Sequence, residues 1–226
     1  VISSEDWGNT QSLENIKVLN DRNWDLVYEK FLSQGYVVID DVFQSEYLER
    51  LYYFGLFHNI REDVRPGSST LNFYKDQKKW FPLLSNITDE LTNSFEDRFE
   101  FSRGWQIIFD TMCEGIGLHV DPQSDVTMNF WVTPDENCIT DIDEYANGLV
   151  IFDQEKPDNF HFYENDENVK NLIKRNNPKV HLIHHKCNRC VIFKSNLYHQ
   201  TFCVHTKPGY ENRRVSYAFL FIDKSK

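Results

Sequence analysis

The chain has 226 residues, 40% hydrophobic and 15% aromatic, enough to bury one substantial core and too apolar for a disordered or low-complexity chain. Its 24 basic residues face 35 acidic ones, a formal net charge of −11, which argues against a nucleic-acid partner. The sequence holds no apolar run long enough for a membrane span, and five cysteines without the spacing of a disulfide framework point to a reducing, cytoplasmic location. No signal peptide is visible, and a start at Val1 rather than Met is expected of a chain that has lost an N-terminal piece.

Residues 1–22 read as a polar lead-in. Apolar residues at Trp24, Val27, Tyr28, Phe31 and Leu32 predict a helix that ends at Gly35. Tyr36 to Asp40 reads as a strand. Ser45 is expected to cap a second helix carrying Leu48, Leu51 and Tyr52 on one face. Pro66-Gly67-Ser68-Ser69 marks a loop. A third helix fits 82–97, with Pro82 in its first turn and Leu84, Ile87, Leu91 and Phe95 aligned.

Beyond residue 100 the pattern changes to short strands, at 105–109, 126–132 and 149–152. The polar stretch 153–178 predicts a short helix around Val169, Leu172 and Ile173 and has the character of a lid. Strands resume at 180–185, 190–194 and 215–222. The expected class is α+β, mainly β: a barrel or sandwich with helices packed outside it.

His119-Val120-Asp121 is the sharpest local feature. In a strand, residues i and i+2 point to one face, so an imidazole and a carboxylate converge. A third ligand is available in His199, which ends the hydrophobic run from Cys190. His205 is its rival, and the strand leading straight into His199 favours the latter. Two His and one carboxylate on one face of a metal leave positions open, the pattern of non-haem Fe(II) oxygenases. Arg214, Ser216 and Ala218 share a strand face, where a guanidinium and a hydroxyl suit a carboxylate. Cys187 and Cys190, with His184 and His185 nearby, form half a zinc pattern but read more simply as a hairpin with small apolar fillers. The basic residues between Lys170 and Lys194 read as a solvated face, and Arg213 as an exposed neighbour of a buried Arg214. Trp105, Phe109, Phe130 and Trp131 are expected in the barrel core, with one or two walling a pocket.

The order His-x-Asp, distal His and Arg-x-Ser resembles the Fe(II)/2-oxoglutarate-dependent oxygenases, closest to their phytanoyl-CoA-dioxygenase-like and prolyl-hydroxylase-like branches. Gly35 to Phe43 resembles the opening of these enzymes, and Gly148 to Phe152 their mid-barrel strand. The resemblance implies a double-stranded β-helix (a cupin-like jelly roll) with N-terminal buttressing helices. It implies one domain over 1–226, with 1–100 mostly helical support and 101–226 the jelly-roll core, carrying a polar insert at 153–178. It further implies that His119, Asp121 and His199 bind Fe(II) and that Arg214, helped by Ser216, holds the distal carboxylate of 2-oxoglutarate. Asn129, inward by parity with Thr127 and Trp131, is a lesser candidate for a hydrogen bond to that co-substrate. With O2, such a site would hydroxylate a small molecule or a protein side chain and release succinate and CO2. Arg214 lies 15 residues after His199, more than the family's usual spacing, so 201–212 is expected to form a longer loop. Two other readings stay open: a cupin-like binding protein without catalysis, and a zinc-dependent hydrolase or isomerase using the same triad.

Overall fold

A computed structural model describes residues 17–58, 60–140, 145–158 and 167–226, with backbone alone for 78–80. The lead-in 1–16 and part of the polar insert, 159–166, lie outside the described residues. The first helix, α1 (Trp24–Gln34), begins where Asn23 Oδ1 accepts the Leu26 N–H, and ends at Gly35 with φ +77°. Only glycine adopts that left-handed turn without strain, as the sequence pattern requires. Helix α2 (Ser45–Phe57) departs from expectation, because Ser45 is its first helical residue and no side chain caps it. Its start is fixed by the backbone instead: Leu19 bridges Phe43, and the Gln44 N–H donates to Val18 O at 2.9 Å. Helix α3 (Pro82–Ser94) stops before 97, as Glu96 and Asp97 at φ +50° and +58° turn the chain into the sheet. The last helix is α4 (Glu167–Asn176).

The described residues hold twelve strands, in chain order β1 (Tyr36–Ile39), β2 (Asp63–Arg65), β3 (Ser68–Tyr74), β4 (Phe99–Phe109), β5 (Met112–Cys113), β6 (Val126–Trp131), β7 (Leu149–Glu155), β8 (Val180–Ile183), β9 (Arg189–Lys194), β10 (Leu197–Thr201), β11 (Val204–His205) and β12 (Val215–Asp223). Seven form one sheet in the order β1-β9-β6-β12-β4-β3-β2. Three form a smaller sheet, β10-β7-β8, to which the segment at His119 is joined by a bridge to His199. Strands β11 and β5 make a short pair, which occupies part of the expected 201–212 loop.

The first hundred residues are less helical than expected. Residues 63–74, read in part as a loop, form the β2–β3 hairpin, and β3 adds to the large sheet alongside β4. Gly67 at φ +84° makes its turn.

The large sheet has two faces with different tasks. On β12, Tyr217, Phe219 and Phe221 face the helices and join Leu51, Leu84, Leu91, Phe95 and Phe101 in the main core. Burying each such side chain is worth roughly 1.5–3 kcal/mol. The alternate residues Arg214, Ser216 and Ala218 face the space between the two sheets. Strand β6 divides likewise, with Val126, Met128 and Phe130 toward the helices and Thr127, Asn129 and Trp131 inward. This is a jelly roll buttressed by helices on one side. No helix among the described residues is long and apolar enough to cross a membrane.

Candidate metal and co-substrate site

His119 and His199 face each other across one antiparallel bridge. Each N–H donates to the other's carbonyl at 2.9 Å, which sets the imidazoles side by side with ring centroids 4.2 Å apart. Two residues on, the Asp121 N–H donates to Ser195 O at 2.9 Å. The local geometry is a single bridge rather than a regular strand, yet the i, i+2 parity survives. His119 Nε2 lies 3.8 Å from Asp121 Oδ1, and His199 Nε2 lies 3.5 Å from Asp121 Oδ2. One potential ligand atom from each of the three lies within 4.8 Å of the others.

The histidine tautomers follow from their partners. His119 Nδ1 is 2.7 Å from Gly117 O and His199 Nδ1 is 2.9 Å from Leu197 O. A carbonyl only accepts, so each Nδ1–H donates and the lone pair sits on Nε2, turned to the common point. Burial, with His119 beside it, pushes His199 down to about 4, so the ring is neutral near pH 7, as ligation requires. Asp121 is oriented by Thr127 Oγ1, which donates to Oδ2 at 2.7 Å, and Thr127 is in turn 2.9 Å from Ser195 Oγ. Two imidazoles with Nε2 turned to one point and one oriented carboxylate fit a divalent iron that keeps open positions.

Beside the triad, a narrow pocket takes in Asn129, Arg214 and Ser216. Register explains the convergence, since Ala218 pairs with Asn129 and Ser216 with Trp131 across β12 and β6. Arg214 is 1% exposed. Its guanidinium carbon lies 5.1 Å from the Phe109 ring and 5.6 Å from that of Trp131. Its Nε and one terminal nitrogen are buried without a hydrogen-bond partner. Burial lowers its pKa to about 10, which leaves it charged near neutrality. A buried cation without a counter-ion is costly, and orphaned donors facing a pocket are the signature of an anionic ligand's place.

No protein-family model matches the sequence, and no curated protein matches it. Solved structures do. SnoK, a non-haem alpha-ketoglutarate-dependent carbocyclase of nogalamycin biosynthesis, superposes with a TM-score of 0.62 at 10% identity, over 90% of this chain and 87% of that one. A Trichoplax adhaerens prolyl hydroxylase, solved with a hypoxia-inducible-factor peptide, gives 0.56 at 14%, over 96% and 94%. HygX from Streptomyces hygroscopicus, solved with nickel and 2-oxoglutarate, gives 0.56 at 15%, over 88% and 87%. The chain has the fold of the Fe(II)/2-oxoglutarate oxygenases. At these identities the likeness is one of fold.

Within that oxygenase fold, several features have ordinary structural roles. His205 donates its backbone N–H to Asn147 Oδ1 on β11 and is not part of the triad's group. Cys190 is core, and the Cys187 thiol lies against Val132 O, with Asn188 at φ +62° making the turn between them. His185 stacks on Trp131, and its Nε2 reaches Thr133 O at 3.2 Å. In the basic run, Lys186 and Arg189 pair with Asp40, and Lys194 with Glu155, while Lys174, Arg175 and Lys179 are exposed. Arg213 pairs with Asp110. The expected lid is placed otherwise in its described part. Val169 and Leu172 of α4 pack with Leu118 and Val120, behind the triad segment, so α4 supports that segment. Sequence reasoning missed the Thr127–Ser195 pair, although Thr127 shares the inward parity of Asn129. It also missed the wall made by β3.

Proposed function

We propose that the chain is an Fe(II)- and 2-oxoglutarate-dependent oxygenase, one domain over 1–226, acting in the cytoplasm as a hydroxylase of a small molecule or a protein side chain. The observation that carries this reading is Arg214, a buried cation with orphaned donors in the same pocket as the triad. A metal-binding barrel without catalysis, or a hydrolytic zinc site, has no need of a dry carboxylate clamp next to its ligands.

In this reading His119, Asp121 and His199 would hold Fe(II). The chemistry such a centre supplies is the coupling of 2-oxoglutarate decarboxylation, to succinate and CO2, with oxidation of a substrate by O2. The protein's own part is binding, orientation and exclusion of water. Arg214 would pair with the distal carboxylate, with Ser216 as a further donor and Asn129 as a weaker one. Phe109 and Trp131 flank the guanidinium and keep water from it, which strengthens the ion pair. Thr127 holds Asp121 toward the ligand position.

The test is an anaerobic titration of the Fe(II)-loaded protein with 2-oxoglutarate, following the visible metal-to-ligand charge-transfer band. The band is expected in the wild type and is lost in His199→Ala and Arg214→Ala. Bound iron with no band at saturating 2-oxoglutarate would overturn the proposal.

A further inference from the structure

A cleft of about 510 Å³ opens directly onto His119 and Asp121, within the range of small-molecule sites, roughly 300–1,000 Å³. One wall is strand β3. Its alternate residues Leu71 and Phe73 are core, while Ser68, Thr70 and Asn72 line the cleft. No hydrogen bond among the described residues engages these three side chains. The wall is therefore a row of hydroxyl and amide groups left for a ligand or solvent.

The charges of the cleft do not cancel pairwise. Asp63 is matched by Arg65 at 2.7 Å, and Asp121 is turned to the triad. Arg103 on β4 has no carboxylate partner among the described residues. One terminal nitrogen donates to Pro122 O, immediately after Asp121, and its Nε is buried without a partner. Its guanidinium carbon sits 6.0 Å from the centre of the Trp105 ring, which also lines the cleft. An arginine without a carboxylate partner among the described residues, on a wall leading to the triad, is placed for an anion from outside.

We infer that the cleft binds a small polar molecule through an anionic group, carboxylate or phosphate, held by Arg103. The inference rests on the proposed function only in making that molecule the oxidised substrate. Arg103 would anchor the anion, Trp105 would give a flat apolar surface beside it, and Ser68, Thr70 and Asn72 would meet hydroxyls or amides along the rest of the molecule. The arrangement is separate from Arg214, which lies in the narrow pocket on the inner side of the triad.

The test titrates benzoate, phenyl phosphate and neutral benzamide by calorimetry into metal-loaded, 2-oxoglutarate-saturated protein without oxygen. Saturation occupies the Arg214 pocket, so the probes report the cleft. At least one anion is expected to bind about tenfold or more tightly than benzamide, the scale of one charge-assisted contact. That preference should disappear in Arg103→Gln and return in part in Arg103→Lys. The charge-transfer band with 2-oxoglutarate should be unchanged in Arg103→Gln, which shows that the barrel is intact. Equal behaviour of the anions and benzamide, or a preference that survives in Arg103→Gln, would overturn the inference. Absence of the band in the wild type would instead strike the oxygenase reading, because the anion preference is read through Arg103 alone.

Discussion

Asp121 is held from two directions. Its backbone N–H is fixed to Ser195 O, and its side chain takes the hydroxyl hydrogen of Thr127, itself in contact with Ser195 Oγ. Both hydroxyl residues are buried, so no water replaces either contact at low cost. A carboxylate free to rotate would divide its time between the two histidines and other orientations. Thr127 removes that freedom, and hydrogen bonds to ligands of this kind typically govern metal affinity by 10–100-fold. Thr127→Val keeps the shape and deletes the donor. It is expected to weaken Co(II) binding by about 10–100-fold in a competition titration against a chelator, with Thr127→Ser close to wild type. Unchanged Co(II) affinity in Thr127→Val would remove Thr127 from this role.

At the scale of elements, the decisive contact is between α2 and β12. Tyr217 donates its hydroxyl to Leu51 O at 2.7 Å, and Tyr52 donates to Glu211 O, in the turn before β12, at 2.5 Å, so the helix holds the chain on either side of Arg214. Gly55 allows this approach: a Cβ there would lie 2.2 Å from Val215 Cγ1. Helix propensity alone makes Gly55→Ala favourable by about 1 kcal/mol. The collision with a fully buried valine outweighs it, because overpacking of this kind costs roughly 1–3 kcal/mol. Gly55→Ala is therefore expected to lower the urea midpoint and, since Val215 adjoins Arg214, to weaken the 2-oxoglutarate binding proposed there. A raised midpoint would show that the helix moves away without loss.

The same contacts explain what the sequence makes legible. Asn129 and Ser216 face one pocket by strand alternation, Arg214 keeps that parity just before β12, and His119 and Asp121 keep i, i+2 parity across an isolated bridge, so the group is readable from residue numbers. His199 was readable because a hydrophobic run leads into it. Strand β3 was not, since only Leu71 and Phe73 mark its buried face and its other residues look like loop. The cap at Ser45 failed because the bridge from Leu19 to Phe43, invisible locally, sets where α2 begins. The insert's helix was predicted correctly, but Val169 and Leu172 do not reveal which surface will bury them.

Across the whole molecule, the two-sided sheet separates stability from chemistry. The helix-facing side is aromatic and dry, while the inner side carries polar and ionisable groups at low exposure, and this second side makes the fold sensitive to acid. His185, stacked on Trp131 with its Nδ1 buried and unpaired, is pushed by burial and then by the nearby Arg214 charge from 6.5 to about 3. In the unfolded chain it takes up a proton below its ordinary value, and in the fold it does not. The unfolded state therefore binds more protons between 6.5 and 3, and stability falls as pH falls through that window. His199 adds a contribution of the same sign in the metal-free protein, from 6.5 down to about 4. Each pH unit in the window costs about 1.4 kcal/mol for one such group, so His185 alone accounts for roughly 2 kcal/mol on going from about pH 7 to about pH 5. His185→Phe retains the ring on Trp131 and removes the titration. Urea unfolding of the metal-free protein at the two pH values is expected to show a smaller loss in His185→Phe than in the wild type, with the His199 contribution remaining. Equal losses in the two proteins would mean that His185 is protonated in the fold, with Asp135 Oδ1, 3.6 Å from its Nε2, holding the charge.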